Sequence, residues 1–94
     1  MSTQFNKLTP AEAERLFYLL EELGETQQAI GKILRHGYDS CHPERDQRTN
    51  REDLEKELHD VYTAIQMLTT QGDLKEESIF KLPVRPPWRY LHHQ

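Results

Sequence analysis

Five acidic side chains stand where ordinary helix chemistry does not account for them. Glu21, Glu22 and Glu25 lie together in the first half of the chain, and Glu57 and Asp60 follow in the second. Glu52, Asp53 and Glu55 have a simpler explanation, because carboxylates favour the positive end of a helix and these residues open one. The mid-helix acids lack that reason. Carboxylates gathered on one side of a fold repel and raise one another's pKa unless something positive sits between them. A hard divalent cation suits that place: Mg²⁺ takes oxygen ligands, keeps several waters and meets carboxylates together with substrate phosphates. The nearest base on the same face of the first helix, Lys32, lies about two turns beyond Glu25. A solvated acidic face is the competing reading.

Two helices must position these acids. Thr9-Pro10-Ala11-Glu12 is a strong helix start, with Thr9 as cap, Pro10 in the first helical position and Glu12 completing a capping box. Leu16, Leu20, Leu23, Gln27, Ile30 and Leu34 then follow the spacing of one buried stripe, and His36-Gly37 ends the run. Residues 37–50 are polar and turn-rich. Asn50, or Thr49 with Glu52, caps a second helix whose stripe is Leu54, Leu58, Val61, Ile65 and Leu68, closed by Gly72. Asp73 with Glu76 suggests a short third helix to about Phe80, and Pro83, Pro86 and Pro87 then impose an extended tail. Strand signals are absent. The expected fold is all-α: an antiparallel helical hairpin over 9–72 in a single domain spanning 1–94, with 73–94 as the tail.

With each stripe centre as zero and about 100° per residue, Glu22 falls near −120° and Glu25 near 180°; Glu57 falls near −60° and Asp60 near −120°. Antiparallel packing is a two-fold rotation about an axis perpendicular to both helices. It keeps equal-sign offsets on the same side of the seam. Glu22, Glu25, Glu57 and Asp60 therefore turn toward one flank, with Glu57 nearest the core.

The same residues form a familiar pattern. Glu21-Glu22-Leu23-Gly24-Glu25, followed by Glu57-Leu58-His59-Asp60, resembles the Glu-Glu-x-x-Glu … Glu-x-x-Asp signature of the MazG-like, all-α nucleoside triphosphate pyrophosphohydrolases. The stretches Gln28 to Gly37 and Asn50 to Glu57 are similar to that superfamily as well, so the likeness covers roughly residues 10–72. The 31 residues between Glu25 and Glu57 exceed the usual spacing, the surplus lying in 37–50, and His59 replaces a smaller residue. The resemblance implies an oligomeric helical fold holding Mg²⁺, with Mn²⁺ as a substitute, on Glu22, Glu25, Glu57 and Asp60. It implies hydrolysis of nucleoside triphosphates to the monophosphate and pyrophosphate. Glu21, beside the ligands, is the candidate base or a brace behind them. The rival expectation is a catalytically silent helical interaction protein that keeps the acidic flank as a remnant.

Lys32 and Arg35 lie on or near the Glu25 face and are candidates for the outer phosphates, although cations also simply favour helix C-termini. Trp88 and Tyr90, on either side of Arg89 and shortly after Arg85, are candidates to stack on a base or cover a neighbouring subunit; packing of the tail is the plainer use. His36, Cys41 and His42 lack the second ligand pair of a familiar zinc site. No Glu-x-x-His occurs, which removes the usual di-iron bundle signature.

Composition bounds the rest. Ninety-four residues with 35% hydrophobic and 30% charged side chains support one lean core. The longest apolar run, Leu16 to Leu20, is far too short for a membrane span, and Met1 to Pro10 carries no secretory pattern. A net charge of −4 disfavours nucleic acid as a partner. The lone Cys41 fits a reducing, cytoplasmic interior. Phe17, Tyr18, Leu19, Ile33, Tyr62 and Met67 lie off the two stripes, so the expectation is a second interface in a homodimer or tetramer built as a helix bundle.

Overall fold

A computed structural model of the chain describes residues 5–41, 47–85 and 87–93, apart from the side chain of Trp88. Three α-helices follow in order: α1 (Pro10–His36), α2 (Asn50–Thr70) and α3 (Glu76–Phe80), before a single 3₁₀ turn at Trp88–Tyr90. The described residues form no strand, only an isolated bridge between Cys41 and Thr49. Among the described residues, no helix is long and apolar enough to cross a membrane.

The capping chemistry is that of the sequence. At the start of α1, Thr9 N–H donates to Glu12 Oε1 at 2.8 Å, and Glu12 N–H returns to Thr9 Oγ1 at 3.1 Å. Thr49 and Glu52 repeat the box at α2, with the same two bonds at 2.9 and 3.1 Å. Each box satisfies two N–H groups that the first helical turn leaves without partners. Gly37 ends α1 at φ 89°, a left-handed value open to glycine without strain, and its N–H reaches Ile33 O at 2.7 Å. One expected cap is absent. Asp73 does not cap α3, whose N-cap position is Lys75 with no side-chain bond; Asp73 is instead held by Arg15.

The two long helices pack against each other, tied at both ends. Near the start of α1, Arg15 Nε and Nη2 donate to the two carboxylate oxygens of Asp73, just beyond α2, at 2.6 and 3.0 Å. Where α1 ends and α2 begins, the buried Asn50 donates from Nδ2 to Gly37 O at 3.1 Å. Two backbone bonds stand beside it: Asn50 N–H to Ser40 O and Arg51 N–H to Tyr38 O, each 2.9 Å.

The face of α1 that meets α2 differs from the expected one. Thr26 and Ala29 are buried, and Arg15, Leu19, Glu22 and Ile33 are half-buried. The leucine row Leu16, Leu20, Leu23, Ile30 and Leu34 is exposed, Leu34 at 82%. The seam runs one residue earlier than the leucines, a rotation of about 100°. Side-chain size explains it: Thr26 and Ala29 on α1 and Ala64 on α2 let the backbones approach, whereas a leucine ridge would hold them apart. On α2 the shift is smaller. Ala64 and Leu68 are fully buried, Leu54, Val61 and Ile65 half-buried, and Leu58 exposed.

Candidate functional site

That rotation changes where the acids point. Moving the α1 reference by one residue takes Glu22 from about −120° to about −20° and Glu25 from 180° to about −80°. Glu22 thus faces into the seam and Glu25 stands at its edge. Glu57 enters from α2, its side chain 16% exposed. Carboxylate oxygens of Glu22, Glu25 and Glu57 all lie within 4.8 Å of one another. Asp60, the fourth expected member, stands apart: its Oδ2 accepts from Lys56 Nζ at 3.0 Å.

The electrostatics of the trio are those of crowded, partly dried anions. Burial raises the pKa of Glu22 above the ordinary carboxylate value, and the charges of Asp60, Glu57 and Glu21 add to it. Glu57 is raised in the same direction, first by burial and then by the neighbouring carboxyl of Glu25. Glu22 Oε2 and Glu57 Oε2 are both buried without a hydrogen-bond partner. A carboxylate oxygen only accepts, so two such atoms beside a third carboxylate call for a shared proton or a cation. A dication with metal–oxygen distances of about 2.1 Å spreads opposite ligands about 4.2 Å apart, inside the 4.8 Å that bounds the trio. The donor set fits a hard divalent ion.

One base was overlooked in the sequence. Lys56 lies 3.6 Å from Glu57 Oε1 as well as 3.0 Å from Asp60 Oδ2, so part of the acidic charge is compensated from α2 itself. The four-residue step from Lys56 to Asp60 was the available signal.

Beside the trio, a cavity of about 290 Å³ opens along the flank. Glu25, Lys32, Arg48, Asn50, Lys56 and Glu57 are among its walls. Lys32 therefore lies where expected. Arg35 and Glu21 line a shallower depression on the outer side of α1, which shares Glu25 and Lys32 with the cavity. Glu21 is exposed and does not join the trio. Arg48 and Asn50 were missed, because they arrive only when the segment after Gly37 folds back, and helical spacing does not encode that return. Arg48 is steered by Asp53, 3.5 Å away. The Trp88 side chain and His42 lie outside the described residues.

Comparison with known families, characterised proteins and solved structures finds no match for this chain.

Proposed function

We propose that this chain is a Mg²⁺-dependent nucleoside triphosphate pyrophosphohydrolase of the MazG-like type, acting in the cytoplasm on an antiparallel α1–α2 hairpin. The carrying observation is a juxtaposition: three carboxylates converging within 4.8 Å, on a cavity walled by Lys32, Arg48 and Lys56. Acids that gather a dication beside bases that meet phosphate oxygens suit a polyphosphate substrate. The ties from Arg15 to Asp73 and from Asn50 to Gly37 support the hairpin orientation. The unpaired Cys41 suits the reducing compartment.

In this reading Glu22, Glu25 and Glu57 would hold the ion, and Asp60, paired with Lys56, would stand by as a fourth carboxylate. A bound ion would neutralise phosphate charge and make the attacking water more acidic. Lys32 and Arg48 orient the phosphates along the flank, with Arg35 further out. Glu21, on the outer rim, accepts the proton of the attacking water directly or braces Glu22. Water is consumed, the bond between the α- and β-phosphates breaks, and the monophosphate and pyrophosphate leave.

The test is incubation with each NTP and dNTP plus Mg²⁺, with pyrophosphate and nucleoside monophosphate both measured. Release of the two in equal amounts, lost in Glu25→Gln and Asp60→Asn, is the expected result. No turnover with any nucleotide, or turnover unchanged in both variants, overturns it. The Lys56–Asp60 pair favours the rival reading of a silent helical interaction protein, since it compensates an acid without any ion.

A further inference from the structure

We propose that the groove between Tyr18 of α1 and Met67 of α2 is a nucleobase subsite, and that it takes a base carrying an exocyclic amino group. It rests on the hydrolase reading above, which supplies the triphosphate end of the ligand.

The groove continues the acidic flank. On α1, Tyr18 precedes Glu22 by four residues, about 6 Å along the axis, and its bearing falls between those of Glu22 and Glu25. On α2, Met67 follows Asp60 by seven residues and departs from its bearing by about 20°. The flank therefore carries three stretches in order. Lys32, Arg48 and Lys56 wall the cavity at one end, the carboxylates stand in the middle, and Tyr18 and Met67 form the other end. A triphosphate drawn to the bases leaves the rest of its nucleotide to extend past the acids toward Tyr18.

Size and wall chemistry suit that occupant. The space bounded by Glu14, Arg15, Tyr18 and Met67 is about 400 Å³, inside the range of small-molecule sites. Thr63 and Gln66 line an adjoining space of about 310 Å³, which shares Glu14, Arg15 and Met67 with it. Tyr18 is half-buried and Met67 is 42% exposed, so a phenol ring and a thioether stand open to a ligand. Bases stack on aromatic side chains, and thioether sulfur sits well against a π-system.

The polar groups around them lean one way. Gln66 Nε2 donates to Tyr62 Oη at 2.7 Å, and the Thr63 hydroxyl donates to His59 O at 3.1 Å. What these two keep for a ligand is chiefly accepting capacity, in the Gln66 amide oxygen and the Thr63 lone pairs. Glu14 adds a carboxylate, which only accepts. The guanidinium in the wall, that of Arg15, is already closed on both oxygens of Asp73. Such a lining matches the amino groups of adenine, cytosine and guanine, and opposes the carbonyl oxygens that uracil and thymine present instead.

The test follows the methyl signal of Met67 by NMR in the full chain carrying ¹³C-methyl methionine. The signal is assigned by its loss in Met67→Leu, a volume-conserving change. With Mg²⁺, the α,β-methylene analogues of ATP and CTP, which resist cleavage at the scissile bond, are expected to shift it upfield through the ring current of a stacked base. The UTP analogue should shift it less than half as far, and inorganic tripolyphosphate not at all. In turnover, Tyr18→Leu is expected to raise KM for ATP about fivefold or more while kcat stays within twofold. Glu14→Gln should narrow the preference for ATP over UTP in kcat/KM at least threefold. Turnover with a Met67 signal that no saturating analogue moves overturns the subsite and leaves the hydrolase reading standing. Shifts by the analogues with no turnover of any nucleotide overturn the hydrolase reading and uphold the groove. An equal shift by the UTP analogue overturns the amino preference. A Met67 shift that follows protein concentration and not the analogues gives the groove to another copy of the chain and overturns the proposal.

Discussion

Arg15 grips Asp73 with two parallel bonds, 2.6 and 3.0 Å long, and so fastens the first turns of α1 to the residues just beyond α2. Fifty-eight residues separate the pair, and both side chains are 16% exposed. The hydrogen bond from Arg15 lowers the Asp73 pKa, while burial opposes it more weakly. A depressed acid stabilises the fold above its unfolded pKa, about 3.9, and that contribution vanishes as pH falls through the lower, folded value. The expected outcome is a lower melting temperature for Arg15→Ala and Asp73→Asn at pH 7, with the deficit shrinking below pH 4. The double variant should be little worse than either single one. Additive losses at pH 7 would show that the two residues act independently.

Glu22 and Glu57 behave oppositely. Their folded pKa values are raised, so the folded state holds protons that the unfolded state has released. Stability then falls as pH rises from the unfolded carboxylate value, about 4.3, through the folded ones. In the absence of divalent ions, Glu57→Gln is expected to raise the melting temperature at pH 7 and to flatten its slope above pH 5. Mg²⁺ should stabilise the wild type by about 2.7 kcal/mol at a hundredfold excess over Kd, and Glu57→Gln far less. Equal thermal shifts in the two proteins would remove Glu57 from the ion's coordination.

The capping boxes and the Gly37 stop were legible in the sequence, because each depends on neighbours within one helical turn. The buried face was not. The leucine row is the strongest periodic signal on α1, and periodicity says that such a row must be covered without saying by what. The seam went to Thr26, Ala29 and Glu22, a weaker pattern favoured by close backbone approach. That exchange brought Glu22 inward and left Asp60 outside the trio, a distinction that offsets measured from the leucines could not make. Arg48 and Asn50 were invisible for another reason: their place depends on how residues after Gly37 return to α2.

Lys56 tests how the acids are balanced. Its Nζ serves Asp60 and Glu57 together, and the bond to Asp60 leads the rise in its own pKa. Lys56→Gln leaves those two carboxylates without their base. In EDTA its melting temperature should fall below that of the wild type. On adding Mg²⁺ it should gain more than the wild type does, and by calorimetry bind the ion more tightly. An unchanged affinity would mean that Asp60 takes no part in holding the ion.

Packing and capping can be compared on one helix. Leu68 is fully buried, so Leu68→Ala is expected to cost about 2–5 kcal/mol in chemical denaturation. Thr49→Ala removes the N-cap acceptor for Glu52 N–H and is expected to cost about 1 kcal/mol. The order matters more than either value. A Thr49 effect exceeding that of Leu68 would show that the α2 terminus, not the seam, limits stability.

The three bonds that join Gly37, Tyr38 and Ser40 to Asn50 and Arg51 seal the chain where it leaves α1 and enters α2. Whatever chain runs between two such anchors hangs from a closed gate. Doubling the length of such a span adds only about 0.6 kcal/mol of closure entropy. The gate, not the span, sets the alignment of the helices, and so a foreign peptide or a whole reporter domain can be spliced in there while Glu25 and Glu57 keep their spacing. The chain carries a ready-made grafting point.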